Sequence, residues 1–195
     1  MLPKDWKKSR KMYSGKIDEI IYARLEPGED LLRALWDICE QKDVKTGILL
    51  DATGSMQRVK VMRYPHEPVK GARGIDYVDI HGPLEVSAHG IIGMGWVPDK
   101  ALKPEPVHLR GGATGFGAGG FVGHGDPYFH VHITVSSSSQ TVCGHLMEGS
   151  PIDEIVYNGR NDLPSHFSVA IAKVSGVILR ATVEENAYYH DIVPA

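Results

Sequence analysis

The sequence predicts an α+β domain in which a largely antiparallel, barrel-like β-sheet carries one principal α-helix. Three observations lead there. The 195 residues include 22 glycines and 12 prolines, too many for a helical bundle, because Gly costs about 1 kcal/mol and Pro about 3 kcal/mol inside a helix. A single segment has helical periodicity, and from Gly47 onward the apolar residues fall into short β-branched or alternating runs separated by turn signals. With 42% apolar and 23% charged residues, the chain can bury one sizeable core. That excludes disordered, collagen-like and mucin-like classes.

The elements follow in order. Residues 1 to 16 form a basic arm with six bases (Lys4, Lys7, Lys8, Arg10, Lys11, Lys16) and one acid (Asp5), a net of +5. The domain is expected over residues 17 to 195, which hold 15 bases against 23 acids, a net of −8. A β-rich run containing Ile17, Ile20, Ile21, Tyr22 and Leu25 stops at Pro27-Gly28. From Glu29 to Lys42, Leu31, Leu32, Leu35, Trp36, Ile38 and Cys39 keep the i, i+3, i+4, i+7 spacing of an amphipathic helix. Glu29 and Asp30 suit the positive end of its dipole. Strand runs follow at 48 to 50, 58 to 64, 77 to 80, 84 to 92, 128 to 135, 141 to 146 and 167 to 184. No internal repeat is present.

Residues 97 to 127 interrupt this pattern with a Pro-rich stretch and then GGATGFGAGGFVGHG, eight of whose fifteen residues are glycine. Gly115, Gly117 and Gly120 spell G-x-G-x-x-G, but the dinucleotide fingerprint opens a helix, whereas this stretch leads into a strand. A lid or subunit-contact loop is the expected meaning. Two cysteines, Cys39 and Cys143, are too few for a disulfide scaffold. The N-terminal residues contain no apolar h-region, and no apolar run approaches the roughly 20 residues that span a bilayer. A cytoplasmic protein with no membrane partner is expected.

The chemistry concentrates in Tyr128-Phe-His-Val-His-Ile-Thr-Val135, a short Ser-rich turn, and Thr141-Val-Cys-Gly-His-Leu146. Strict alternation puts Phe129, Val131, Ile133 and Val135 on one strand face. His130, His132 and Thr134 lie on the other, the two imidazoles ~6.6 Å apart along the backbone. A hairpin centred on the Ser turn sets His132 opposite His145, so three imidazoles share one surface. Three neutral imidazoles with an open fourth position form the catalytic type of zinc site, and imidazole also suits nickel, copper and iron. Cys143 has the parity of His145. It is expected as a small buried residue opposite Thr134, or else as the ligand that closes the ion.

These residues carry a resemblance. The chain from Ala23 to Asn186 resembles the plants-and-prokaryotes-conserved (PPC) domain. The matching pieces are Arg24 to Leu31, Gly47 to Gly54, Gly82 to Gly90, His130-Val-His132 and Gly144-His-Leu-Met-Glu-Gly149. The resemblance implies an antiparallel sheet with one principal helix, a homotrimer, and His130, His132 and His145 as ligands of Zn2+ or another divalent ion. The fold is also similar to that of α-acetolactate decarboxylase, where an H-x-H pair and a later His hold zinc. One departure stands out: the family places an acid where this chain has Leu84, with Glu85 beside it. A one-residue shift moves a strand side chain to the other face unless a bulge corrects it.

Two functions follow. An open three-His ion lowers the pKa of bound water or polarises a carbonyl, which suits a hydrolase, lyase or decarboxylase acting on a small polar or carboxylate-bearing molecule. Glu85 and His89 are the candidate catalytic residues, with His124 and Glu148 as further proton-transfer candidates. Arg63, Arg110 and Arg160 are candidates for binding a substrate carboxylate. The alternative is a DNA-binding or regulatory protein using the domain as a trimeric module. DNA affinity needs a basic face, which only the arm offers, and the AT-hook of the plant members is missing.

Overall fold

The computed structural model describes residues 11–64, 76–96, 124–153, 166–184 and 187–195. In chain order the elements are β1 (Lys16–Arg24), α1 (Leu31–Gln41), β2 (Gly47–Arg63), β3 (Asp76–Trp96), β4 (Pro127–Ser136), β5 (Thr141–Leu146), β6 (Ser168–Ser175), β7 (Val177–Glu184) and β8 (Ala187–Pro194). They form one sheet in the order β1-β6-β2-β5-β4-β3-β7-β8, and an additional β2–β3 pairing closes a ring through β2, β5, β4 and β3. Only β3–β7 is parallel among these pairings. The expected α+β class with a largely antiparallel, barrel-like sheet is therefore the observed one.

Two of the strands are longer than the runs that foretell them. The runs at 48–50 and 58–64 join into β2, and those at 77–80 and 84–92 join into β3. The polar and Gly-Pro residues between them stay within the sheet, and register shifts between Leu49 and Ala52 and between Met56 and Arg58 absorb the mismatch. Conversely, the run at 167–184 divides into β6 and β7 at Gly176, whose φ of 82° only glycine adopts without strain. Strand β8 has no clear signal in the sequence, because His190-Asp191 breaks the apolar pattern of its tyrosines and its Ile-Val pair.

Helix α1 begins later than its periodicity suggests. Asp30 is the N-cap, its side chain accepting the Arg33 N–H at 3.1 Å, while Glu29 accepts the Glu26 N–H at 2.7 Å. Both acids therefore precede the first turn. At the other end Lys42 donates to the Ile38 carbonyl, and Asp43 turns the chain away with a φ of 48°. The buried stripe Leu31, Leu32, Ala34, Leu35 and Cys39 joins the inner face of the sheet. There Phe129, Val131, Ile133 and Val135 of β4 are all 1% exposed or less, each contributing about 1.5–3 kcal/mol by burial. The opposite face of the ring carries the histidines. Among the described residues no helix is long and apolar enough to cross a membrane.

Candidate metal centre

The β4–β5 hairpin builds the centre. Its loop spans 137–140, with the Ser137 N–H donating to the Gln140 carbonyl at 2.9 Å, and its register pairs His132 with His145 and Thr134 with Cys143, as the sequence symmetry predicts. His130 and His132 lie two residues apart on the outer face of β4, their rings nearly parallel at 17° with centroids 5.2 Å apart. His145 stands edge-on to both, 5.1 Å from His130 and 5.8 Å from His132. One nitrogen from each ring lies within 4.8 Å of the others.

Two glycines let the strands approach closely enough for this. A Cβ on Gly144 would sit 2.7 Å from Val61 Cβ and 3.0 Å from the Met62 carbonyl, so only glycine lets β5 press against β2. On β3, a Cβ on Gly90 would meet the His130 carbonyl oxygen and lie 2.7 Å from Val131 Cα. The Tyr128 hydroxyl lies 3.5 Å from His130 Nδ1, the kind of contact that orients a ligand ring.

The chain after His145 is anchored on two sides. The Met147 N–H donates to the Lys60 carbonyl at 3.0 Å, and Ser150 Oγ accepts the Lys60 N–H at 3.0 Å while donating to the Met147 carbonyl at 2.8 Å. Asp30 Oδ2 accepts the N–H groups of Gly149 and Ser150, each at 2.7 Å. Burial nevertheless pushes the Asp30 carboxyl above its ordinary value, against the pull of these donors. Glu148, a proton-transfer candidate on sequence grounds, is held by Arg33 at 2.6 Å.

A cleft of about 420 Å³ opens over the three rings, walled by Met62, Arg63, Tyr64 and Cys143. Cys143 shares the outer face with His145 but is exposed, contrary to its expected burial, because the β2 pairing reaches only His145 and Leu146. It does not join the cluster of three ligand atoms. His89 is the direct cross-strand partner of His132 on the same face but lies outside both the cluster and the cleft lining. Glu85 is exposed opposite Ser136, four residues along β3 from His89, or about 13 Å at strand rise. Its neighbour Leu84, at the position where the family has its acid, is 1% exposed and points into the core.

Arg63 lines the cleft and faces Asp76 at 3.6 Å. His124 packs against Trp96 with ring centroids 4.7 Å apart. Arg110, Arg160, residues 1–10 and residues 97–123 of the Gly-rich loop lie outside the described residues. Sequence reasoning missed Met62, Tyr64, Gly90 and Asp30 as parts of the site. Only Gly90, opposite the H-x-H pair, had a readable signal, and the cleft wall from β2 depends on long-range pairing.

The family model of the Plants and Prokaryotes Conserved (PCC) domain matches residues 12–124, so the three histidines lie beyond the matched span. No curated protein matches the chain in sequence. Among solved structures, a metal-containing protein from Archaeoglobus fulgidus is similar at 16% identity and a TM-score of 0.62, over 90% of this chain and 94% of that one. A plant- and prokaryote-conserved (PPC) protein from Pyrococcus horikoshii has 13% identity and a TM-score of 0.59, over 90% and 92%. A candidate DNA-binding protein from Bacteroides thetaiotaomicron has 15% identity and a TM-score of 0.55, over 93% and 98%. At these identities the likeness is one of fold.

Proposed function

The chain belongs to the Plants and Prokaryotes Conserved domain family, and from that premise we propose that it holds a divalent transition-metal ion, zinc foremost, on His130, His132 and His145. The observation that carries this reading is the convergence of three ring nitrogens within 4.8 Å on an open face. The donor set fits. Tetrahedral zinc with imidazole ligands needs nitrogens about 3.3 Å apart, a contraction that small side-chain rotations supply. The similar Archaeoglobus fulgidus protein is a metal-containing one, which supports the same reading.

A metal held by His130, His132 and His145 would supply Lewis acidity at the floor of the cleft. The finer reading is a metal-dependent hydrolase or lyase/decarboxylase acting on a small polar or carboxylate-bearing molecule. A cleft of about 420 Å³ is of the size that takes such a ligand. Of the candidate catalytic residues, His89 beside His132 is the better placed to hold a proton near the site, and Glu85 is too far along β3 to reach it directly.

The chain is also proposed to assemble as a homotrimer. The row Ile20, Ala172, Ile48, Ile91 and His130 runs across five strands on the outer face. Ile20, Ile48 and Ile91 in this row are 42–49% exposed, an apolar stripe that a second copy would cover. The DNA-binding alternative draws on the basic arm and on the description of the Bacteroides thetaiotaomicron neighbour.

Metal analysis of the purified protein, then a hydrolase and decarboxylase substrate screen with and without chelator, tests the enzyme reading. Stoichiometric zinc with chelator-sensitive turnover is the expected result. Metal-free protein, or turnover indifferent to chelation, would overturn it.

A further inference from the structure

We propose that the cleft over the triad binds a small organic carboxylate with an apolar body, its charge held by Arg63 and a second oxygen turned toward the histidines. This rests on the metal-centre reading and narrows it to a ligand class. The residues that line the cleft are chemically one-sided: the three histidines, Arg63, Tyr64, Met62, Cys143 and Gly144, with no Asp or Glu among the described residues. A divalent ion on the triad would add two positive charges that none of these residues offsets. Residues 17 to 195 carry a net charge of −8, so a cleft without acids is a local exception, and it draws anions against the field of the body.

Arg63 is suited to the anchoring role. It is the last residue of β2 and is exposed there. Its ion pair with Asp76 spans 3.6 Å between half-exposed groups, longer than a hydrogen bond, so the guanidinium fork keeps donors for a carboxylate. Met62 lies directly across from His145 in the β2–β5 pair, which sets a thioether beside the ring and gives an apolar body something to pack on. Those walls favour an organic acid over inorganic phosphate, which carries charge but no apolar surface.

Cobalt-loaded protein tests this through the cobalt absorption spectrum, a readout independent of turnover. The probe is 4-methyl-2-oxopentanoate, compared with its uncharged methyl ester and with inorganic phosphate. The acid is expected to shift the spectrum saturably, with the ester and phosphate binding at least about tenfold more weakly. At saturating cobalt, R63A should weaken the acid about tenfold, to the level of the ester, with R63K recovering part of the loss. D76N, which removes the competing anion, should tighten it. A normal cobalt spectrum that the acid leaves unchanged, equal affinity in R63A, or preference for phosphate overturns the carboxylate assignment and leaves the metal centre standing. Failure of the wild-type protein to take up cobalt removes both.

Discussion

His132 and His145 face each other across the β4–β5 pair with ring centroids 5.8 Å apart. The two rings come from strands joined by a four-residue loop, so the pair forms whenever the hairpin forms. Substituting either one removes a third of the ligand set. His132→Ala and His145→Ala are each expected to lower metal affinity by more than the roughly 10–100-fold typical of losing an outer-shell partner. Equilibrium dialysis with zinc, alongside circular dichroism to show that the fold persists, measures this. Full occupancy in both variants would count against the centre.

How much of this could be read from the sequence depends on range. The hairpin was readable, because alternation and a short turn are local and fix which residues share a face. The breaks inside β2 and β3 read as turns, because a bulge and a turn look alike until the partner strand is known. The exposure of Cys143 is hidden for a similar reason: alternation gives its face, but whether that face is covered is decided by elements far away in sequence. Asp30 could not be found as a support of the site, since it is a helix cap whose other oxygen reaches a loop 119 residues later.

Gly144→Val should destabilise the fold and weaken the metal site together. Its Cβ would lie 2.7 Å from Val61 Cβ, and overpacking of this kind costs roughly 1–3 kcal/mol. Relief comes only by moving β5, which carries His145 as the next residue. Chemical denaturation should show the loss of stability, and cobalt titration a parallel loss of affinity. Unchanged affinity would mean that the β2–β5 contact does not set the position of His145.

Asp30 should shape the pH dependence of stability. Its carboxyl lies above the ordinary 3.8, chiefly through burial, so the folded protein holds that proton more tightly than the unfolded chain. Its contribution is then fully present below pH 3.8 and declines as pH rises through the folded value. The stability of wild type relative to Asp30→Asn should therefore fall as pH rises from below 3.8 through the folded value. Asp30→Ala strips the cap and leaves the Gly149 and Ser150 N–H groups without their acceptor, at a cost of about 2–4 kcal/mol. Urea unfolding across that pH range checks both. A difference that grows with pH would reverse the sign assigned to burial.

The two cysteines should separate cleanly by reactivity. Burial pushes the Cys39 thiol up to about 12, and the side chain is 1% exposed in the core. Cys143 is exposed beside the cleft. Because the thiolate is the reactive form, one thiol per chain should titrate with a chromogenic disulfide under native conditions and two in denaturant. Metal added beforehand should leave Cys143 reactive if the three histidines suffice as ligands. Protection of Cys143 by zinc would instead make it a fourth ligand and close the site.

The DNA-binding alternative makes forecasts that oppose those of the metal-dependent enzyme. Affinity for duplex DNA comes from neutralised phosphates, and the net charge is +5 over residues 1 to 16 and −8 over the rest. One of the arm's six bases is already engaged, since Lys11 lies 2.6 Å from Asp191 and holds that carboxyl below its usual value. The remaining bases are too few for tight binding at physiological salt. A dissociation constant no tighter than the non-specific range of about 10⁻⁴ to 10⁻⁶ M is expected, with no response to chelator. Deleting residues 1–10 removes Lys4, Lys7, Lys8 and Arg10. That should abolish whatever DNA binding remains while metal content and ligand binding at the cleft persist. Fluorescence anisotropy with a labelled duplex over a salt series reads the affinity and the slope. Nanomolar affinity at physiological salt, lost on this deletion and indifferent to metal, would favour the regulatory reading over the enzyme.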